Sequence, residues 1–206
     1  MATLALDTCL SALTIAVETG DERIVSFSEE IGVGHAEKVA PACHALLSEA
    51  GITAAELTRI GVTVGPGSFM GQRVGIAFAK GLAMGSGAET VPMTTLEAIA
   101  EGAGGPALVL IDARRGQVYA QRFGADGEPD TEPSLISYED GRALLGQGMP
   151  ALGSGVAACD PDRPAPEVLW PQPGALLAMT KRRAPAPLQT LYLRAPDAKP
   201  PSQSPL

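Results

Sequence analysis

A chain of 206 residues with 45% hydrophobic side chains is long enough for one large domain or two small ones and can bury a core of its own. Its formal net charge of −8 makes it a poor binder of nucleic acid unaided, because neutralising phosphates needs surplus Lys and Arg; its three scattered cysteines, Cys9, Cys43 and Cys159, fit neither a disulfide framework nor a zinc cluster. No apolar run approaches the roughly 20 residues of a membrane span, and no basic leader precedes the first strand, so a soluble cytoplasmic protein is expected.

The first elements read as strands. Residues 3–7, 12–18 and 22–28 are apolar or alternating runs, with Gly20 and Asp21 between the second and third, which predicts an antiparallel meander. Residues 35–50 change period: Val39, Ala42, Cys43, Leu46, Leu47 and Ala50 recur at helical spacing, and Gly51 is placed to stop the helix. Pro41 either marks the first proper turn of that helix or kinks it. A buried strand at 59–64 leads through a glycine-rich turn, Gly65-Pro66-Gly67-Ser68, into a helix at 71–85, a short strand at 89–92 and a helix at 95–102. The order β-β-β-α-β-α-β-α is that of a ribonuclease-H-like half-domain, with a mixed sheet because the later strands arrive through helical crossovers.

From residue 106 the pattern restarts. Residues 107–113 form a buried strand, 116–124 its hairpin partner, 134–138 an edge strand and 138–146 a short helix. Residues 159–173, rich in Pro and Asp, are expected to be loop, and 174–183 a last helix. The expected division is therefore an N-terminal lobe at 1–104, a smaller C-terminal lobe at 105–195 that is a thinned duplicate of the first, and a flexible tail at 196–206.

Two loops carry candidate chemistry. Asp7-Thr8 ends the first strand, where an acidic residue in phosphotransfer folds holds a metal or phosphates; the alternative is an Asp that caps its own turn. Gly65, Gly67, Ser68 and Gly71 lie between a strand and a helix, where backbone N–H groups can face an anion, or where Ser68 simply caps the helix. The spacing is neither a Walker A loop nor a dinucleotide fingerprint.

The second helix is apolar on both sides. Val74, Ala77, Phe78 and Leu82 are assigned to the sheet, which leaves Gln72, Ile76, Ala79 and Ala83 as a nearly uncharged back. The first helix has a similarly small, weakly polar back containing Ala40 and His44. Two such backs predict an intersubunit helix contact at Ala40, His44, Gln72, Ile76, Ala79 and Ala83, unless residues 174–206 cover them. The two histidines, His35 and His44, are nine residues apart and point in opposite directions, so they share no metal. Cys9 and Cys43 read as small core residues. Lys181-Arg182-Arg183 reads as a solvated helix end, with a tRNA or partner contact as the alternative.

These segments resemble one family. The opening LALDTC, then HAEKVAPACHALLSEAG, VGPGSFMGQRVGIAFAKGLAMG, the helix start at 95–98, and Leu191-Tyr192-Leu193-Arg194 with Asp197, Lys199 and Pro200 are similar to the TsaB family, most specifically in GPGSF-x-G-x-R-x-G. The likeness covers residues 1–123 and, more loosely, 190–200. It implies an α/β actin-like ATPase fold with ribonuclease-H-like lobes, the second one reduced. It also implies a non-catalytic scaffold, without metal or cofactor, for a TsaD-type catalytic subunit that transfers threonylcarbamoyl from an adenylate to N6 of the adenosine 3′ of the tRNA anticodon. A TsaE-type ATPase joins the two, and tRNA is reached only through the complex. The family pairs through its two N-terminal helices, with the TsaD-type subunit or as a homodimer. Met70 stands where the family commonly carries Thr, which removes a hydroxyl from the loop, and Gln72 where it carries Leu or Val. Two other readings are an M22-type metallopeptidase, which lacks its histidine ligands here, and a small actin-like-fold kinase, which needs two complete lobes.

Overall fold

The computed structural model describes residues 1–194; the expected tail at 196–206, with Asp197, Lys199 and Pro200, lies outside the described residues. A five-stranded sheet in the order β3-β2-β1-β4-β5 is built from β1 (Ala2–Asp7), β2 (Ala12–Glu18), β3 (Ile24–Glu30), β4 (Leu57–Thr63) and β5 (Glu89–Met93). The first three strands form the antiparallel meander; β4 joins β1 in parallel and β5 joins β4 in parallel. The crossovers are α1 (His35–Ala50) and α2 (Phe69–Ser86), and α3 (Thr95–Glu101) follows β5. Gly51 ends α1 in the left-handed conformation, with its N–H group returned to the carbonyls of Leu47 and Ser48. Pro41 lies inside α1 on its exposed side.

A second, four-stranded sheet in the order β8-β7-β6-β9 repeats the plan in shorter pieces, from β6 (Ala107–Asp112), β7 (Gln117–Phe123), β8 (Ser134–Ser137) and β9 (Ala151–Leu152). Its helices are α4 (Tyr138–Leu145) and α5 (Gly155–Cys159). The expected hairpin and edge strand are present. Sequence periodicity missed β9, α5 and a one-turn 3-10 segment at Ala54–Glu56, each too short to display a period.

The last helix, α6 (Pro173–Arg182), corrects the expected division of the chain. It leaves the second lobe and packs on β1, β2 and β4 of the first sheet. The sheet's two faces separate cleanly by alternation: Leu4, Leu6, Leu13, Ile15 and Val17 meet α1 and α2, while Ala5 and Ala16 meet Leu176, Leu177 and Met179 of α6. Alanines on that face let α6 lie close. At Gly61 of β4 a Cβ would fall 1.8 Å from Thr180 Oγ1. Gly61→Ala should therefore lower stability by about 2–3 kcal/mol, read as a shift in denaturation midpoint. Thr180→Ala introduced alongside should recover part of that loss, because the hydroxyl is the nearest atom. An unchanged midpoint in the single variant would mean that α6 is not seated on β4.

The basic run at the end of α6 is spent on the chain itself. Lys181 pairs with Glu18 at 2.9 Å, Arg182 with Glu101 at 2.5 Å and Arg183 with Glu97 at 2.7 Å. Arg59 donates to the carbonyls of Lys181 and Arg183, which gives the helix terminus a cationic cap. All three head groups are engaged in fastening α6 and the segment after it to the first lobe. Among the described residues, no helix is long and apolar enough to cross a membrane.

Candidate functional site

The ends of β1 and β4 bring Asp7 and Thr63 together. Asp7 is completely buried; its Oδ1 accepts from Thr63 Oγ1 at 2.5 Å and from the Cys9 N–H at 3.2 Å. Its Oδ2 is buried without a hydrogen-bond partner among the described residues. Burial pushes the Asp7 carboxyl above the ordinary aspartate range, against the pull of those two hydrogen bonds. Burial and then the adjacent carboxyl push the Cys9 thiol far up, and burial pushes Cys43 to about 11, so neither offers a thiolate nucleophile.

Thr8 is equally enclosed: its Oγ1 donates to the Gly71 carbonyl at 2.7 Å. A Cβ on Gly71 would fall 2.0 Å from the Thr8 carbonyl oxygen, so α2 can start this close to the β1–β2 turn only with glycine there. Ser68 caps α2 by accepting from the Gly71 N–H at 3.2 Å and donates its own N–H to the Cys9 carbonyl at 2.7 Å. The Gln72 amide donates to the Gly67 carbonyl. The expected anion-facing set is therefore divided. Asp7, Thr8 and Gly65 do not line the interlobe cleft, and Asp7 takes the turn-capping role. Gly67, Ser68 and Gly71 do form part of its wall.

That cleft measures about 800 Å³ and lies between the starts of α1 and α2 on one side and residues 112–114 and Ser154 on the other. Trp170 spans its edge, donating Nε1–H to Ser28 Oγ at 3.2 Å. His35 sits at the start of α1, buried, with Nε2 3.1 Å from the Ala12 carbonyl, whereas His44 is exposed on the same helix. Among the described residues, no three His, Cys, Asp or Glu side chains converge as metal ligands.

The helix faces are the larger correction. The structure turns Gly71, Gln72, Gly75, Ile76 and Ala79 of α2 toward the sheet, with Ala83 half-buried on the same side. Gln72, Ile76 and Ala79 therefore cannot line a docking surface. Of the four residues that helical spacing assigned to the sheet, Val74, Phe78 and Leu82 are half-buried on the flank and Ala77 is exposed. The reason is distance: a Cβ on Gly75 would lie 2.4 Å from Thr8 Oγ1 and 3.4 Å from Val62, too close for a helix face of large side chains. The signal was present in the sequence, as small residues at 71, 75, 79 and 83 with four-residue spacing.

The face left outside runs through Ala77, Gly81, Met84 and Gly85 and carries only two charges, Arg73 and Lys80. A Cβ on Gly81 or Gly85 would meet nothing within 4 Å. Beside it, α1 exposes Ala40, Pro41, His44 and Ala45 as expected, and α1 and α2 touch one another. Residues 173–182 do not cover this face, since α6 lies on the opposite side of the sheet.

Comparisons with known proteins show the family and the fold. The family model described as TsaD, tRNA N6-adenosine threonylcarbamoyltransferase, matches residues 29–152. A Mycobacterium tuberculosis H37Rv protein of uncharacterized function is 35% identical over 205 residues, covering 96% of this chain and 93% of that one. The tRNA threonylcarbamoyladenosine biosynthesis protein TsaB of Escherichia coli K12 is 29% identical over 221 residues, covering 94% and 95%. The solved structure of YeaZ from Pseudomonas aeruginosa superposes with a TM-score of 0.73 at 26% identity, covering 87% of this chain and 90% of that one.

Proposed function

Because the chain belongs to the TsaB/YeaZ family, whose named members serve threonylcarbamoyladenosine biosynthesis in tRNA, we propose that it is the non-catalytic scaffold of that pathway and docks a TsaD-type catalytic subunit through α1 and α2. The observation that carries this reading is the outer face of α2, a helix of 18 residues that exposes a small, almost uncharged stripe which nothing else among the described residues covers. A helix apolar on both sides calls for a neighbour on both sides. The match to the transferase family over 29–152 spans both helices, so the catalytic subunit brings counterparts of its own to a pseudo-twofold four-helix contact. A homodimer uses the same surface and competes with that contact.

The site at Asp7 supports the scaffold role. Its carboxyl accepts from Thr63 and the Cys9 N–H, and the Thr8 hydroxyl donates to the first turn of α2, so neither side chain faces the cleft. The chain's net charge of −8 supports a reading in which its partners, the catalytic subunit and a TsaE-type ATPase, supply most of the tRNA contacts. The test is reconstitution with purified components. Threonylcarbamoylated tRNA should form only when chain and catalytic subunit are both present, and the two should co-elute in size-exclusion chromatography. Transfer by the chain alone, or separate elution with no stimulation, would sink the proposal.

A further inference from the structure

After α6 the chain turns back over the first lobe. Ala186 donates its N–H to the Thr90 carbonyl at 2.9 Å, Leu188 is buried, and Leu191 donates to the Val64 carbonyl at 2.8 Å. Arg194 then reaches the second lobe and donates to Gln117 Oε1 at 2.9 Å. Between these anchors Tyr192 is delivered to the first turn of α2. There the Arg73 guanidinium lies 3.7 Å from the centroid of the Phe69 ring, Arg73 Nε donates to the Tyr192 hydroxyl at 3.2 Å, and the two rings stand 5.6 Å apart.

The cluster is fixed yet open. Tyr192 is 46% exposed, Phe69 52% and the adjoining Met70 65%. Exposed aromatic and Arg side chains held in one orientation are the composition of interface hot spots, and their ordering is complete before binding. They also continue the outer face of α2 without a break in sequence or surface, from Phe69 and Arg73 to Ala77.

We propose that residues 184–194 complete the docking face, with Tyr192 and Phe69 as an aromatic anchor for the catalytic subunit. This rests on the docking role assigned to α2 above. Charge selects the occupant. Arg73 and Lys80 are the two charged residues of α2, both cationic in a chain of net charge −8. A second copy meeting α2 with α2 about a twofold axis brings those cations toward themselves, so charge disfavours a second copy and favours a catalytic subunit whose docking face is acidic.

The experiment is titration calorimetry of the full-length chain into the purified catalytic subunit. Tyr192→Ala and Phe69→Ala should each weaken binding about tenfold or more, while Gly81→Glu abolishes it. Because Phe69 and Tyr192 are both half-exposed, two independent variants guard against a folding defect in either one. Binding within twofold of wild type for both aromatic variants, with Gly81→Glu still inactive, overturns the anchor and leaves the α2 docking face standing. Wild-type binding by all three overturns the docking face as well. Loss of self-association by sedimentation, with binding to the catalytic subunit unchanged, also overturns the proposal, because the occupant would then be a second copy.

Discussion

An Ala79→Glu chain is expected not to fold. Ala79 is completely buried in the cluster that contains Leu6, Ile60 and Val62, on the side of α2 pressed against the sheet. A carboxylate there has no partner and no water, and an uncompensated buried charge costs roughly 3–5 kcal/mol, a large part of the 5–15 kcal/mol that holds a typical domain together. Ala77, two residues earlier, points outward, and Ala77→Glu should change stability by no more than about 0.5 kcal/mol. Circular dichroism melts of the two variants decide which face of α2 is inside. A normal melt for Ala79→Glu together with a collapsed one for Ala77→Glu would restore the face assignment read from side-chain size.

The contrast at these two positions shows where the sequence was legible. Period and punctuation located α1 to the residue, because Val39, Cys43, Leu46, Leu47 and Ala50 recur at helical spacing and face inward, Gly51 stops the helix, and Ala40, His44 and Ala45 make a small or polar back. In α2 the same logic failed. Both sides are apolar, and hydrophobic bulk pointed to Val74, Phe78 and Leu82 where packing distance selected Gly71, Gly75 and Ala79. Closeness to the sheet is a tertiary quantity; in sequence it is visible only as the spacing of small residues, which competes with the bulk signal. Asp7 was located correctly at the strand end, but its direction was not legible. Thr63, the residue that claims its carboxyl, is 56 positions away and declares nothing of itself in an apolar strand. The return of α6 to the first sheet was hidden for a similar reason: its closest fit, Thr180 over Gly61, pairs two residues with no local pattern in common.

Replacing Gly81 should separate folding from docking by giving them opposite signs. Glycine inside a helix costs about 1 kcal/mol relative to alanine, and the space around Gly81 is empty, so Gly81→Ala should stabilise the free chain by about 0.5–1 kcal/mol and raise its melting temperature by roughly 2–4 °C. If a partner helix approaches along Ala77, Gly81 and Gly85, a methyl group there pushes it away, and Gly81→Ala should weaken the complex while strengthening the monomer. Gly81→Glu carries the argument to its limit. The free chain again tolerates the change, because the side chain points into solvent and glutamate is a better helix former than glycine. In the complex, bulk and an unpaired carboxylate enter the closest contact, costing about 3 kcal/mol or more, which is over a hundredfold in Kd. Melting curves and calorimetric titrations on the same three proteins supply the test. Parallel changes in stability and affinity, or affinity unchanged in Gly81→Glu, would mean that this stripe of α2 faces no partner.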